Sequence, residues 1–443
     1  MRNPLSSPRA KSGDNLLRRM VKNVSVLLGG KAFNAVASLG YLALAARALG
    51  AEAFGLLILV HTFTQAVGQL VTFQSWQAVI RYGAEALEQQ RRAAFQGLIK
   101  FTLLLDLVSA TAGVALAAIA APWIGQYLEW PPEVAHWASL YSGAVLFMVT
   151  ATPTGLLRLF DRFDLIALQG AVGPLIRLAG AAALAVTGGS LGDFLIVWFV
   201  ANVAGGTTFL AFAFRELKRR KLLGGMGWSL RGLAKPHAGI WRFVWATNLN
   251  TGLGLATKHF SVIAVGWILG PAEAGALRVA RQFAEALAKP AKLLAPVIYP
   301  ELAKLSAQGK GDVLTRLVRR SILTAGTLGL VVLLVVVVAG KMLLQLTVGP
   351  EFLAAYGVMI LLCLAAVINI TAFPLEPLLI TAGRAGTVLR VRLLATLIQI
   401  PLLLLLLTLT GLLGAGSAAV VYAALLFVGL GISAAPWLRS RPA

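Results

Sequence analysis

Residues 271–305 read PAEAGALRVARQFAEALAKPAKLLAPVIYPELAKL. The run is long enough to cross a bilayer, for which an α-helix needs about 20 mostly apolar residues. It nevertheless carries Arg278, Arg281, Glu285, Lys289 and Lys292, at offsets of 3, 7, 11 and 14 from Arg278. That rhythm is one face of an α-helix, and the opposite face is Ala, Leu, Val and Phe. A cation near the bilayer centre costs about 2.5–3.5 kcal/mol even on the lenient insertion scale. Four of them facing lipid would cost on the order of 10 kcal/mol, comparable to the stability of a whole domain. The stripe is therefore expected to face a wet, protein-lined interior.

Outward from this stretch the apolar half of the pattern recurs and the charged half does not. The 443 residues are 58% hydrophobic and only 13% charged, with a mean hydropathy of +0.81. Continuous apolar runs point to an all-α polytopic membrane protein and exclude a β-barrel, whose segments are short and alternating. About twelve transmembrane helices are expected, at roughly 24–46, 54–80, 98–121, 134–157, 165–187, 190–214, 239–268, 272–300, 321–347, 352–380, 387–409 and 412–435.

The formal net charge of +22 would suggest nucleic acid on a soluble protein; here no nucleic-acid partner is expected. The excess falls in the even-numbered connections, as in Arg81, Arg91, Arg92 and Lys100, or Arg215, Lys218, Arg219, Arg220 and Lys221. The odd-numbered connections carry Glu52, Glu129, Glu133, Asp193, Glu273 and Glu351. By the positive-inside rule both termini are cytoplasmic and the helix number is even. Arg47 and Lys341 break the pattern and are expected to reach the interface from helix ends. Cys363, the single cysteine, lies in the apolar run MILLCLAAV and reads as a small core residue.

The longest connection divides the chain. A cytoplasmic segment at 1–23 is followed by an N-terminal six-helix bundle at 24–214 and a basic cytoplasmic linker at 215–238. A C-terminal six-helix bundle at 239–435 and a tail at 436–443 complete the expected organisation. RALGAEAFGLLILVHTFTQA after the first crossing echoes WILGPAEAGALRVARQFAEA after the seventh. Duplicated bundles around a central cavity are a common transporter plan.

Catalytic and energy-coupling motifs are missing. Gly30-Lys31 is followed by Ala32 and Gly309-Lys310 by Gly311, so neither makes a phosphate-binding loop. His61, His136, His237 and His259 show no metal-ligand spacing, and no connection is long enough for a catalytic domain. No enzymatic activity and no cofactor are expected.

What remains is charge at membrane depth. Lys31 and Lys258 sit in the leading crossing of each half and Arg177 in the middle of the fifth. With Arg278, Arg281, Lys289 and Lys292 they outnumber the buried acids, and unpaired cations need water, an anion or both. Such a cavity suits phosphate or pyrophosphate cargo, with Arg giving bidentate contacts and Lys point charges. Glu285 reads either as an ion-pair partner within the stripe or as an ion-coupling group; Asp106 and Glu376 are weaker coupling candidates. Asn34, Gln65, Gln69, Asn248, Asn250 and Gln282 either line the pathway or bond helices together.

At these residues the chain resembles the polysaccharide-transport branch of the multidrug/oligosaccharidyl-lipid/polysaccharide exporter superfamily, the Wzx-type O-antigen and exopolysaccharide flippases. The matching pieces are NVSVLLGGKAFNAVASLGYLALAARALGAEAFG, TPTGLLRLFDRFDLIA and VIYPELAKLS. The resemblance implies two six-helix bundles and alternating access in the inner membrane. It implies an undecaprenyl-pyrophosphate-linked oligosaccharide as cargo, membrane lipids and other polysaccharide assembly proteins as partners, and a proton or sodium gradient as the drive. The family's cationic cavity maps onto Lys31, Lys258, Arg278, Arg281, Lys289 and Lys292. Three rivals stand beside it. A drug/cation antiporter of the same superfamily would keep acids in its leading helices, where this chain has Lys31 and Lys258. A ligase or glycosyltransferase of lipid-linked sugar assembly would need a large catalytic loop. The lipid II flippase of the same superfamily resembles a longer chain with extra helices.

Overall fold

A computed structural model describes residues 13–227, 229–230, 232–233, 237, 239–292, 311–381 and 384–439; the side chains at 13–28, 246–258, 287–292, 311–314, 381, 385 and 436–439 lie outside that description. The described residues form helices and connections with no strand. The helices are α1 (Gly13–Val71), α2 (Ser75–Glu88), α3 (Arg92–Tyr127), α4 (Pro132–Tyr141), α5 (Val145–Met148), α6 (Ala151–Leu159), α7 (Phe163–Thr187) and α8 (Leu191–Arg219). They continue with α9 (Ile240–Ile268), α10 (Pro271–Lys292), α11 (Gly311–Thr347), α12 (Ala355–Ala372), α13 (Leu375–Thr381), α14 (Ala385–Thr410) and α15 (Leu412–Arg439).

Nine helical segments among the described residues are long and apolar enough to cross a membrane, which makes this a multi-pass protein. These nine do not confirm the expected count of about twelve. The first and second crossings merge into one segment, Gly29–Glu88, of 60 residues. The seventh and eighth correspond to α9 and α10; the side chains at 246–258 and 287–292 are outside the described residues, and the described apolar part of α9 is His259–Ile268. Two crossings are also broken. The fourth divides between α5 and α6, where Val149 adopts an extended ψ of 94°. The tenth divides at Phe373-Pro374, where proline cannot continue a helical ladder.

A break at membrane depth leaves helix-end N–H groups that lipid cannot satisfy. Asp106 of α3 supplies the acceptor. One of its carboxylate oxygens accepts from the Thr152 backbone N–H in the first turn of α6 at 2.8 Å, and the other from Ser75 Oγ at the start of α2 at 2.7 Å. One buried carboxylate thus holds two helix N-termini, where negative charge is favoured.

By packing, the chain forms two compact units, Met1–Tyr41 with Val60–Phe260, and Leu42–Leu59 with Ser261–Ala443. These units interleave in sequence. In the first unit Val79, Phe95, Ile99, Leu156, Phe160 and Leu217 share one buried cluster. In the second, Val318, Leu375, Leu379, Val388 and Leu430 share another.

The second unit contains the segment at which α1 bends. Gly50 has φ +73° and ψ 175°, a combination open to glycine and strained for other residues. The released Ala51 N–H donates to Glu351 Oε2 at 3.1 Å. Arg47 donates to the carbonyls of Gln345 and Leu346, so it caps the end of α11. Lys341 lies 5.2 Å from the Tyr356 ring centre, a cation–π contact. Gly55 lies so close to the Pro271 carbonyl that an added Cβ would overlap it, and Gly275 faces Phe54 and the Gly55 backbone. The two echoing sequence segments therefore pack on each other through their glycines.

Between the two halves of the chain, the residues after α8 are tied down. Arg92, Gln96 and Lys100 lie one turn apart on α3, a single helix face. Arg92 donates to the carbonyls of Lys221 and Gly224, Gln96 to those of Leu222 and Gly224, and Lys100 to those of Gly227 and Ser229. His237 Nε2 lies 3.1 Å from the Ala94 carbonyl. Nearby, Arg162 pairs with Asp164 and with the buried Glu216. The hydrogen-bonded Asp164 carboxylate holds the Arg162 guanidinium above its ordinary range.

Candidate functional site

In the first unit three helix faces lined with amides and small residues surround a cavity of about 360 Å³. Helix α1 contributes Gln65, Gly68 and Gln69, with Thr72 just past its end; α7 contributes Gln169, Gly173 and Arg177; α8 contributes Asn202, Gly205 and Gly206. Within each set the positions are adjacent or recur at three- and four-residue steps, so each set lies on one side.

Arg177 is fixed from several directions. It donates to Asn202 Oδ1 at 3.0 Å, and its guanidinium carbon lies 5.7 Å from the ring centres of both Tyr41 and Trp198. Asn202 in turn donates through Nδ2 to the Tyr141 hydroxyl at 3.0 Å and to the Trp198 carbonyl at 2.9 Å. The Tyr141 hydroxyl is 2.7 Å from His61 Nδ1. A hydrogen-bonded chain thus runs from a buried imidazole to the cavity arginine. Gln169 Nε2 donates to the Gly205 carbonyl at 3.1 Å. Gln69 Oε1 and Arg177 Nε are buried atoms with no hydrogen-bond partner among the described residues. Lys31, also in this unit, is exposed on α1. Lys258 is on α9, but its side chain is outside the described residues.

The second unit holds the charged stripe of α10. Arg281 donates to Ser261 Oγ of α9 at 2.7 Å. Arg278, three residues before, and Glu285, four after, are the charges acting most strongly on it. Arg281 and Glu285 both make further interactions. Gln282 is buried beside them at 6% exposure. The side chains of Lys289 and Lys292 are outside the described residues. The structure therefore gathers Arg278, Arg281 and Glu285 on one helix face. Glu376 is elsewhere in this unit, paired through both oxygens with Arg392 at 3.2 and 3.0 Å. Asp106 has both oxygens engaged at the helix breaks, as described above.

Several residues escaped sequence reasoning. Asn202 and Tyr141 have partners 25 and 61 residues away or more, a pairing that local spacing does not encode. Gln169 and Arg177, polar positions two turns apart in an otherwise apolar run, were the available signal. His61, which reads as an isolated histidine, belongs to this network.

A family model described as polysaccharide biosynthesis protein matches residues 20–306. The inner membrane protein YghQ of Escherichia coli (strain K12) is 33% identical over 343 residues, 77% of this chain and 96% of YghQ. The chain belongs to the polysaccharide biosynthesis protein family. Among solved structures, an inward-facing multidrug resistance MATE family transporter of the MOP superfamily matches with a TM-score of 0.71 at 13% identity, covering 94% of this chain and 96% of that one. The lipid II flippase MurJ in an inward closed conformation matches with a TM-score of 0.72, also at 13% identity, covering 92% and 87%. At such identities the likeness establishes the fold alone: the chain has the all-helical fold that these two solved proteins share.

Proposed function

We propose that the protein is a flippase that moves an undecaprenyl-pyrophosphate-linked oligosaccharide from the cytoplasmic to the periplasmic leaflet of the inner membrane by alternating access. The product would serve O-antigen, capsule or exopolysaccharide synthesis. Arg278 and Arg281 grip the pyrophosphate, with Lys31, Arg177, Lys258, Lys289 and Lys292 contributing positive field. A proton or sodium gradient drives the cycle, with Glu285 ahead of Glu376 and Asp106 as the coupling group. Cargo lipid, bilayer lipids and other assembly proteins are the partners, and both termini are cytoplasmic. The observation that carries this reading is the Arg278–Arg281 pair, one turn apart on α10, with Arg281 held by Ser261. Guanidinium groups kept at membrane depth at a cost of about 2.5–3.5 kcal/mol each call for an anionic ligand. The drug/cation antiporter reading shares the fold but fits this charge sign less well.

The test is genetic. Deletion of the gene should leave a lipid-linked oligosaccharide on the inner leaflet, and the wild-type gene should clear it. Complementation with Arg278→Ala, Arg281→Ala or Lys258→Ala should fail although the variants insert normally. Full export by all three single variants and by their combination would remove the pyrophosphate grip.

A further inference from the structure

We infer that the cavity of the first unit is a glycan subsite that takes a neutral, hydroxyl-bearing sugar ring of the transported lipid: Arg177, besides adding to the positive field, contacts the sugar, while Arg278 and Arg281 grip the pyrophosphate. The inference rests on the flippase reading and assigns a part of the cargo to these residues.

The wall chemistry decides the ligand class. The described lining residues include no acid, and Arg177 is their sole cation. Asn202 Oδ1 accepts one of the Arg177 N–H groups, and two aromatic rings lie near its guanidinium. Two buried atoms of the lining residues lack a partner among the described residues, an acceptor, Gln69 Oε1, and a donor, Arg177 Nε. An ionised phosphate accepts hydrogen bonds and has nothing to donate to Gln69 Oε1. A sugar hydroxyl does both, so the hydroxyls of one ring can answer the glutamine acceptor and the arginine donor. At about 360 Å³ the cavity lies at the lower end of the usual range for small-molecule pockets, roughly 300–1,000 Å³. It is too small for a whole oligosaccharide and suited to a terminal or first sugar.

Two substitutions separate binding from folding. Gln69→Leu removes a buried acceptor that has no partner among the described residues, so folding stability should hold or rise. Gly173→Ala adds a methyl whose nearest neighbour would be the Ala201 carbonyl at 3.7 Å, an ordinary contact. It narrows the cavity while improving helix propensity.

The purified full chain would be offered two probes in equal amount, with retained lipid read by native mass spectrometry. One is synthetic undecaprenyl pyrophosphate; the other is the polyprenyl-pyrophosphate glycan pool extracted from its host's membranes. Wild type should retain glycan-bearing lipid over the bare lipid by about tenfold, the scale of one or two well-made hydrogen bonds. Gln69→Leu and Gly173→Ala should each abolish that preference and still retain the bare lipid, with melting temperatures at or above wild type. Equal retention of both lipids by wild type, a cavity filled only by water, or an undiminished preference in both variants would overturn the glycan subsite while leaving the flippase reading standing. Retention of neither lipid by wild type would overturn both.

Discussion

Asp106 shows how a single side chain can be structural where its position in a membrane helix suggests energy coupling. Its two oxygens answer Ser75 and the start of α6, so Asp106→Ala orphans two donors at a cost of about 1–3 kcal/mol each. The purified variant should melt well below wild type. If Asp106 serves only the helix breaks, Asp106→Asn should keep gradient-driven transport and lose stability. Loss of transport with an unchanged melting temperature would make it the coupling group instead. Gly55 gives a second residue-scale expectation. Any Cβ there meets the Pro271 carbonyl, and Gly55→Ala should cost about 1–3 kcal/mol through overpacking. Gly29→Ala, with nothing within 4 Å, should be neutral or slightly stabilising by the helix-propensity difference.

Among the elements, the strap after α8 can be tested as a unit. Removing its donors with Arg92→Ala, Gln96→Ala and Lys100→Ala together should speed amide exchange across residues 222–229 and expose Lys221 to trypsin. Arg91→Ala, which loses only a half-exposed pair with Glu85, should do neither, because such surface pairs contribute at most about 1 kcal/mol. Unchanged exchange in the triple variant would mean that the strap is held by other contacts. At this scale the limits of the sequence are physical. Apolar runs and the 3- and 4-residue rhythm of Arg278, Arg281 and Glu285 were legible because they are local. The break at Pro374 was legible for the same reason. The break before α6 was not, since its cause is a carboxylate 46 residues away. The bend at Gly50 depends on Glu351, 300 residues on. The bonds of Arg47 to the Gln345 and Leu346 carbonyls, 298 and 299 residues on, were hidden in the same way. The cationic stripe could be read in advance; the amide-lined cavity, assembled from three distant helices, could not.

For the whole molecule, the activity we propose is movement of an anionic lipid-linked glycan across a bilayer, a reading supported by the cationic residues and by membership of the polysaccharide biosynthesis protein family. The orientation expected from Arg81, Arg91, Arg92 and the basic residues of 215–221 places both termini in the cytoplasm. Reporter fusions at residue 443 and in the outer turn at residue 129 should be active on opposite sides. The same side for both would invert the reading of the loops. The most direct test of the central claim is reconstitution of the purified chain in liposomes. A lipid-linked oligosaccharide would be loaded on one leaflet, and its arrival on the other followed with a membrane-impermeant glycosidase. Wild type should transfer it, and Arg278→Ala/Arg281→Ala should fall at least about tenfold, the effect of losing one charge-assisted contact, at equal insertion. Equal transfer by the double variant, or none by wild type under an imposed proton or sodium gradient, would contradict the account.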